Sequence, residues 1–251
     1  MLILLSCAKT MTKSSNIKVP FTTSPQFIDN AKELAIYLSQ YSVDELEQML
    51  HINSKIAVEN YERFQNFHNT QGLAALLSYT GIVFKKLNPK DFTEQDFTYA
   101  QDHLRLTSFL YGLLRPLDMI NNYRLEGDIR LPELGDVTLF NYWKSRLTDL
   151  FIEDLQKQGG ILCNLASDEM KGLFNWNTLT KKVKVITPQF KVNKDGKVKT
   201  IVIYTKMCRG EMARYILKNQ ITDPEMLKAF TWEGFEYNEE LSKHNNLVFT
   251  N

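Results

Sequence analysis

Cysteine is scarce in this chain of 251 residues: Cys7, Cys163 and Cys208 are the three present, an odd number with no Cys-x-x-Cys spacing. That excludes a disulfide framework and a zinc knuckle built on paired thiols. Histidine is nearly as sparse, with His51, His68, His103 and His244 scattered and no His-x-x-x-His pair, so neither a metal nor a cofactor is expected. Net charge is almost missing: 30 Lys and Arg oppose 29 Asp and Glu, a formal +1. No global field therefore points to nucleic acid or to an anionic membrane. No apolar run approaches the ~18 residues of a membrane span. The opening Met1-Leu-Ile-Leu-Leu-Ser has no basic residue before it and too few apolar residues for a secretory signal. A cytoplasmic chain without membrane contact, and a monomer, is expected. Gly-x-Gly-x-x-Gly, Walker and Gly-x-Ser-x-Gly strings are absent, as are internal repeats and low-complexity tracts.

What is present is the composition of a folded protein, with 43% hydrophobic residues against 24% charged, too apolar for intrinsic disorder. Residues 2–6 are apolar without alternation and predict a strand covered on both faces. Residues 10–24 are rich in Lys, Ser and Thr, carry Pro20 and predict a long surface connection. From Gln26 to Asn66 apolar positions recur at three- and four-residue steps (Ala31, Leu34, Ala35, Leu38; Ile56, Ala57, Tyr61, Phe64), which predicts amphipathic helices. Thr93 with acids behind it predicts a helix start, and the segment is expected to stay helical to Gly112, with Pro116 opening the next helix. Leu139 to Gln158 predicts a further helix, closed by Gly159-Gly160, and Ile161 to Leu165 a strand. Lys182 to Phe190 and Val198 to Thr205 read as β-runs around Asn193-Lys194-Asp195-Gly196, a hairpin signal. Met207 to Asn219 and Pro224 to Phe230 predict helices, and Asn246 to Thr250 a closing strand. With no clean linker, the expected fold is one compact α+β domain, a central mixed sheet flanked by helices.

Neutrality of the whole conceals a local imbalance. From Lys181 to Lys218 there are eleven Lys or Arg against Asp195 and Glu211, a segment charge of +9. Segregated basic residues of this kind are an electrostatic footprint for phosphate backbones, although lysines blunting an edge strand would give the same string. Tyr111-Gly112-Leu113-Leu114-Arg115-Pro116 resembles a helix-hairpin-helix turn with Leu114 at the second glycine position. Asn164-Leu165-Ala166-Ser167-Asp168-Glu169 puts polar groups directly after an apolar strand, where helix capping and a strand-end site are both open readings.

Taken in order, MLILLSCAKT, SFLYGLLRPLD, NYRLEGDIRL, LFNYW, NLASDE and MCRGEMARYI resemble the YaaA family of peroxide-stress proteins over essentially the whole chain. The resemblance implies a compact α+β fold with a positively charged cleft and a helix-hairpin-helix element. It also implies a cytoplasmic role in protection from hydrogen peroxide through lowered free intracellular iron, and DNA binding. Carried over residue by residue, it puts Ser6, Ala8, Lys9 and Thr10 on the opening motif, with Cys7 in place of a usual proline. Lys55, Asn60 and Arg63 fall on a helix of the family. Gly112, Arg115, Asp118, Tyr123, Arg124 and Glu126 fall on the central motif, and Asn164, Ser167, Asp168 and Glu169 on the acidic strand-end motif. Lys206, Arg209 and Arg214 match the basic helix motif, while Gly81-Ile82-Val83-Phe84 departs from a family Gly-Asp-Val-Tyr.

Two functional readings stand side by side. In one, a non-enzymatic protein binds duplex or distorted DNA with little regard to sequence. Lys9, Lys55, Arg63, Arg115, Arg124, Lys206, Arg209 and Arg214 meet phosphates, and the turn at Gly112 donates backbone N–H groups. In the other, the same cations with Asp118, Asp168 and Glu169, and the polar Ser6, Thr10, Asn164 and Ser167, form the cleft of an enzyme of unknown reaction. Both expect the first strand's polar end to lie beside the Asn164–Glu169 motif, with Lys9 reaching Asp168 or Glu169.

Overall fold

In the computed structural model, which describes residues 1–194 and 197–251, the apolar opening forms strand β1 (Leu2–Leu5), buried along its whole length. A run of Leu and Ile without alternation requires cover on both faces, and has it. The remaining strands are β2 (Leu73–Ala74), β3 (Leu104–Ser108), β4 (Gly112–Leu114), β5 (Met119–Ile120), β6 (Ile161–Asn164), β7 (Lys184–Lys194), β8 (Lys197–Lys199), β9 (Glu236–Tyr237) and β10 (Asn246–Thr250). The helices are α1 (Ile28–Leu38), α2 (Val43–Leu50), α3 (Ser54–Gln65), α4 (Ala75–Ser78), α5 (Ile82–Leu87), α6 (Glu94–His103), α7 (Leu139–Lys157), α8 (Trp176–Lys182) and α9 (Val202–Lys218).

The main sheet runs β4-β3-β1-β6-β7-β10-β9, with β8 on β7. Strands β3, β1, β6, β7 and β10 are mutually parallel, with Ile3 opposite Leu104 and Cys163, and Cys163 opposite Ile186. Strands β4, β8 and β9 are antiparallel to their neighbours. This is the expected central mixed sheet flanked by helices, and it aims the carboxyl ends of five parallel strands at one edge, where sites collect in such layers. Helix α6 packs on β1 and β3, α7 on β4 and β6, and α9 on β7 and α5. A half-buried ion pair ties sheet to helix: the buried Arg105 of β3 donates from Nε and Nη2 to Asp154 of α7 at 2.7 and 3.1 Å, and from Nη1 to the carbonyls of Gln101 and Leu104.

Three expectations are corrected. The helix capped by Thr93, whose hydroxyl accepts from Asp96 N–H while the Asp96 carboxylate accepts from Thr93 N–H, ends at His103 instead of reaching Gly112. Leu104–Ser108 pairs with β1 and β4 because its place between them, buried at every residue, outweighs a sequence in which only Thr107 is of a β-favouring type. No helix flanks Gly112, so this turn is not the hairpin of a helix-hairpin-helix: Gly112 starts β4, opposite Ser108 in a tight β-turn. Its φ of +72° suits glycine, and a Cβ there would meet the Trp143 ring at 2.7 Å. Pro116 likewise opens no helix and sits in the turn before β5. Finally, Val202–Thr205 is the start of α9 and not strand, while Lys197–Lys199 does form the second arm of the expected hairpin. The Asp195-Gly196 step of that turn lies outside the described residues.

Candidate functional site

At the carboxyl edge of the sheet, β1 and β6 release their chains side by side, and one serine couples the two ends. Ser167 N–H donates to Ser6 Oγ at 2.8 Å, and Ser6 Oγ donates to Ser167 Oγ at 3.2 Å. This is the expected juxtaposition, and it explains why Ser167 does not cap the 3₁₀ turn that follows (Asp168–Leu173): its amide and hydroxyl are already used across the sheet. A cavity of about 360 Å³ opens there. Its polar wall carries Ser6, Lys9, Thr10, Tyr123, Arg124, Glu126, Ser167, Glu169, Lys206 and Arg209. Its floor is apolar, with Ile82, Val83, Phe84, Phe109, Leu125, Leu165 and Met170.

Glu126 anchors the polar wall. It accepts from Arg124 Nη2 at 2.5 Å and pairs with Lys9 Nζ at 3.1 Å, with its side chain 16% exposed. Lys9 therefore finds its carboxylate in Glu126, not in Asp168 or Glu169. The backbone of Arg124 is held by Asn60 of α3, a fully buried side chain that donates to Arg124 O and accepts from Arg124 N–H, both at 2.9 Å. Asn60 thus acts as a small peptide surrogate, fixing the loop so that the guanidinium above it is aimed and not free. Beneath the cavity, Tyr123 Oη bonds Ser108 Oγ at 2.6 Å and Tyr79 Oη at 2.8 Å, and burial pushes both phenols well above their ordinary range.

Helix α9 supplies the other cations. Lys206 and Arg209 are three residues apart and share one helix face over the cavity, Lys206 exposed and Arg209 half-buried. Desolvation lowers the pKa of Arg209, against the pull of Asp168. Two guanidinium Nε–H groups, on Arg124 and Arg209, are buried without a hydrogen-bond partner among the described residues. The approach of α9 depends on Gly210, where a Cβ would overlap the Val83 carbonyl of α5 and meet Lys86 at 2.7 Å. A lone glycine inside a helical run is the sequence signal for such a contact.

The other predicted site residues lie elsewhere. Asp168 is next to the cavity but points outward, 91% exposed and paired with Lys171 at 2.6 Å, which lowers its pKa. Asn164 is buried in β6 and accepts from Ala166 N–H. Arg115 and the buried Asp118 close their own turn: Asp118 accepts from Arg115 N–H at 2.8 Å, from Arg115 Nη2 at 3.0 Å and from Thr23 Oγ1 at 2.6 Å. Lys55 is exposed on α3, and Arg63 pairs with Glu59 in a separate groove. Arg214 is spent on Asp91 and on the carbonyls of Leu87 and Asn88. The thiols of Cys7, Cys163 and Cys208 are each pushed up to about 12, desolvation being the main cause, which opposes thiolate chemistry with peroxide.

Fold and cavity together define an α+β protein with a cation-rich pocket at the carboxyl ends of parallel strands. The chain belongs to the peroxide stress protein YaaA family, whose model matches residues 1–241. It is similar over its full length to a UPF0246 protein of Bacteroides thetaiotaomicron, 66% identical over 253 residues and covering 100% of this chain and 98% of that protein. A UPF0246 protein of Bacteroides fragilis is 64% identical over 253 residues with the same coverage. One of Clostridium beijerinckii is 40% identical over 254 residues, covering 100% of this chain and 97% of its own. No helix among the described residues is long and apolar enough to cross a membrane.

Proposed function

We propose that this member of the family acts in the peroxide response as a cytoplasmic monomer that binds DNA, largely without regard to sequence, through the basic carboxyl edge of its sheet. One observation carries the reading. Strand β7 runs on past the ends of β6 and β10, and with β8 it projects a hairpin bearing Lys191, Lys194, Lys197 and Lys199 at the same edge as Lys206 and Arg209. None of these six has a carboxylate ion-pair partner among the described residues. The +9 segment is thereby divided into parts of different use. Lys181, Lys182 and Lys184 sit at the opposite end of β7, and Arg214 and Lys218 are bound to Asp91 and Asp96. Only the middle group is free to meet phosphates.

Contacts to phosphate fix position and carry no base information, so sequence tolerance follows. They also displace the cations condensed on the DNA, ferrous iron among them, which links DNA cover to limiting the iron that reacts with peroxide. Among the described residues no group of three His, Cys, Asp or Glu side chains gathers as a ligand set. The effect on iron in this reading is one of displacement.

Gel-shift titration of a random-sequence duplex at two salt concentrations is the test. Five lysine contacts imply an affinity loss of about 500-fold between ~50 and ~200 mM salt. Affinity that does not change with salt, or no binding at the lower concentration, rejects the DNA reading.

A further inference from the structure

The cavity itself is a poor seat for a duplex, since it is a recess of about 360 Å³ with Arg124 and Arg209 half-buried in its lining, the size of a small-molecule site. We propose that this pocket binds a single small phosphomonoester with a planar or apolar body, in the size class of a mononucleotide, with Arg209, Arg124 and Lys206 holding the phosphate and the apolar floor holding the body. This goes beyond DNA binding by the hairpin and does not depend on it.

Three observations converge. The first is the pair of orphaned donors, since Arg124 and Arg209 both line this cavity and the Nε–H of each is buried with no acceptor among the described residues. A buried donor belonging to a charged group is costly to leave unpaired, and two on one cavity wall are explained by an acceptor that arrives with a ligand. The second is charge. Glu126 offsets Lys9 and Arg124, whereas Arg209 and Lys206 have no carboxylate within ion-pair distance among the described residues. The uncompensated charge is therefore on α9, facing a cavity whose remaining polar groups are the hydroxyls of Ser6, Thr10, Tyr123 and Ser167 and one carboxylate, Glu169, which forms no ion pair with either cation. A planar guanidinium fork with a flexible ammonium beside it suits a dianionic phosphate better than a single carboxylate. The third is the floor. Phe84, Phe109, Leu125 and Met170 line the same space, so inorganic phosphate would leave apolar surface wet that a base or similar body would cover.

Such a phosphate has two sources, a free nucleotide or the 5′ end of a DNA strand, and the shared chemistry is what the pocket recognises. Calorimetric titration with the four deoxynucleoside 5′-monophosphates, their nucleosides and inorganic phosphate tests the site. At least one monophosphate is expected to bind at least 10-fold more tightly than both its nucleoside and inorganic phosphate. Arg209→Gln and Lys206→Ala are expected to weaken it by 10-fold and about 3-fold, and Lys199→Ala to leave it unchanged. The exposed Lys206 keeps the test valid if Arg209→Gln melts early. Competition by a 5′-phosphorylated oligonucleotide, but not by its unphosphorylated twin, assigns the strand end as the source, and competition by neither assigns the free nucleotide. Equal binding of nucleoside and nucleotide, no preference over inorganic phosphate, or full binding by Lys206→Ala and Arg209→Gln overturns the proposal. A positive nucleotide result with salt-insensitive duplex binding would leave this site standing and remove only the DNA reading.

Discussion

Glu126 is the residue on which the polar wall of the pocket turns, because it serves two cations of unequal exposure. Lys9 is 66% exposed and Arg124 15%. Lys9→Ala therefore removes a solvated partner and leaves Glu126 with its better one, so the cost in stability is expected to stay below ~0.5 kcal/mol, while any ligand that uses Lys9 is lost. Glu126→Ala strands two cations, one of them mostly buried, and is expected to cost about 2–4 kcal/mol, approaching the penalty for breaking a buried pair. Urea denaturation of the two variants separates these magnitudes, and equal losses would remove Glu126 from its anchoring place. None of this was legible in the sequence. Lys9, Arg124 and Glu126 could each be marked as motif residues, but the pairing of Lys9 with Glu126, more than a hundred positions apart, leaves no local trace, and the acids in the strand-end motif looked like the natural partners of Lys9. Asp168 fails that role simply because its turn points it into water beside Lys171.

At the scale of elements, the parts with strong local signals came out as read: the continuous apolar β1, the Gly-closed α7, and β6 with its polar end. What failed were segments where tertiary context overrides propensity. Leu104–Ser108 follows a helix without Gly or Pro to mark the change, and only its slot between β1 and β4 makes it a strand. Val202-Ile203-Tyr204-Thr205 is β-favouring by type, yet it is the first turn of a helix fixed by its seat on α5, with Val202 left 65% exposed. Gly112 gives a direct test, since its positive φ and the Trp143 ring both resist a side chain. Gly112→Ala is expected to cost roughly 2–4 kcal/mol from backbone and packing strain together, with DNA binding by the folded fraction intact. Loss of binding without loss of melting temperature would restore a phosphate role for this turn.

The docking of α9 on α6 adds a dependence on acid. Burial pulls the Asp96 pKa up, but donation from Lys218 at 2.8 Å and from the Thr93 amide leaves it below its ordinary value, and the Arg214 guanidinium lowers Asp91 in the same way. A carboxyl whose folded pKa is depressed stabilises the fold above its unfolded value, near ~3.9, and that contribution disappears as pH falls through the folded pKa. Stability is thus expected to be flat from pH 7 to about 5 and to fall below ~4. The stability gap between the parent chain and Asp96→Asn should be wider at pH 7 than at pH 3, as read from urea midpoints. A gap that does not narrow in acid would mean that the cap and the Lys218 contact do not depend on the charge of Asp96.

For the molecule as a whole, the meaningful quantity is the number of cations free to release counterions, not the net charge of +1 or even the +9 of one segment. The fold sorts those cations by what already holds them. Arg214 and Lys218 are committed to Asp91 and Asp96, and Arg115 to Asp118, whereas Lys191, Lys194, Lys197 and Lys199 project on a hairpin with no such partner among the described residues. The salt slope of DNA binding distinguishes the two kinds. Each of Lys194→Ala, Lys197→Ala and Lys199→Ala is expected to reduce the slope of log affinity against log salt by about 1, with equal effect on unrelated duplexes and no change in melting temperature. Arg214→Ala is expected to do the reverse, lowering the melting temperature while leaving the slope unchanged, because its charge is answered within the fold. If Arg214→Ala flattens the slope and the hairpin variants do not, the DNA-facing surface is the outer face of α9, and the hairpin lysines are only the solvated guard of an edge strand.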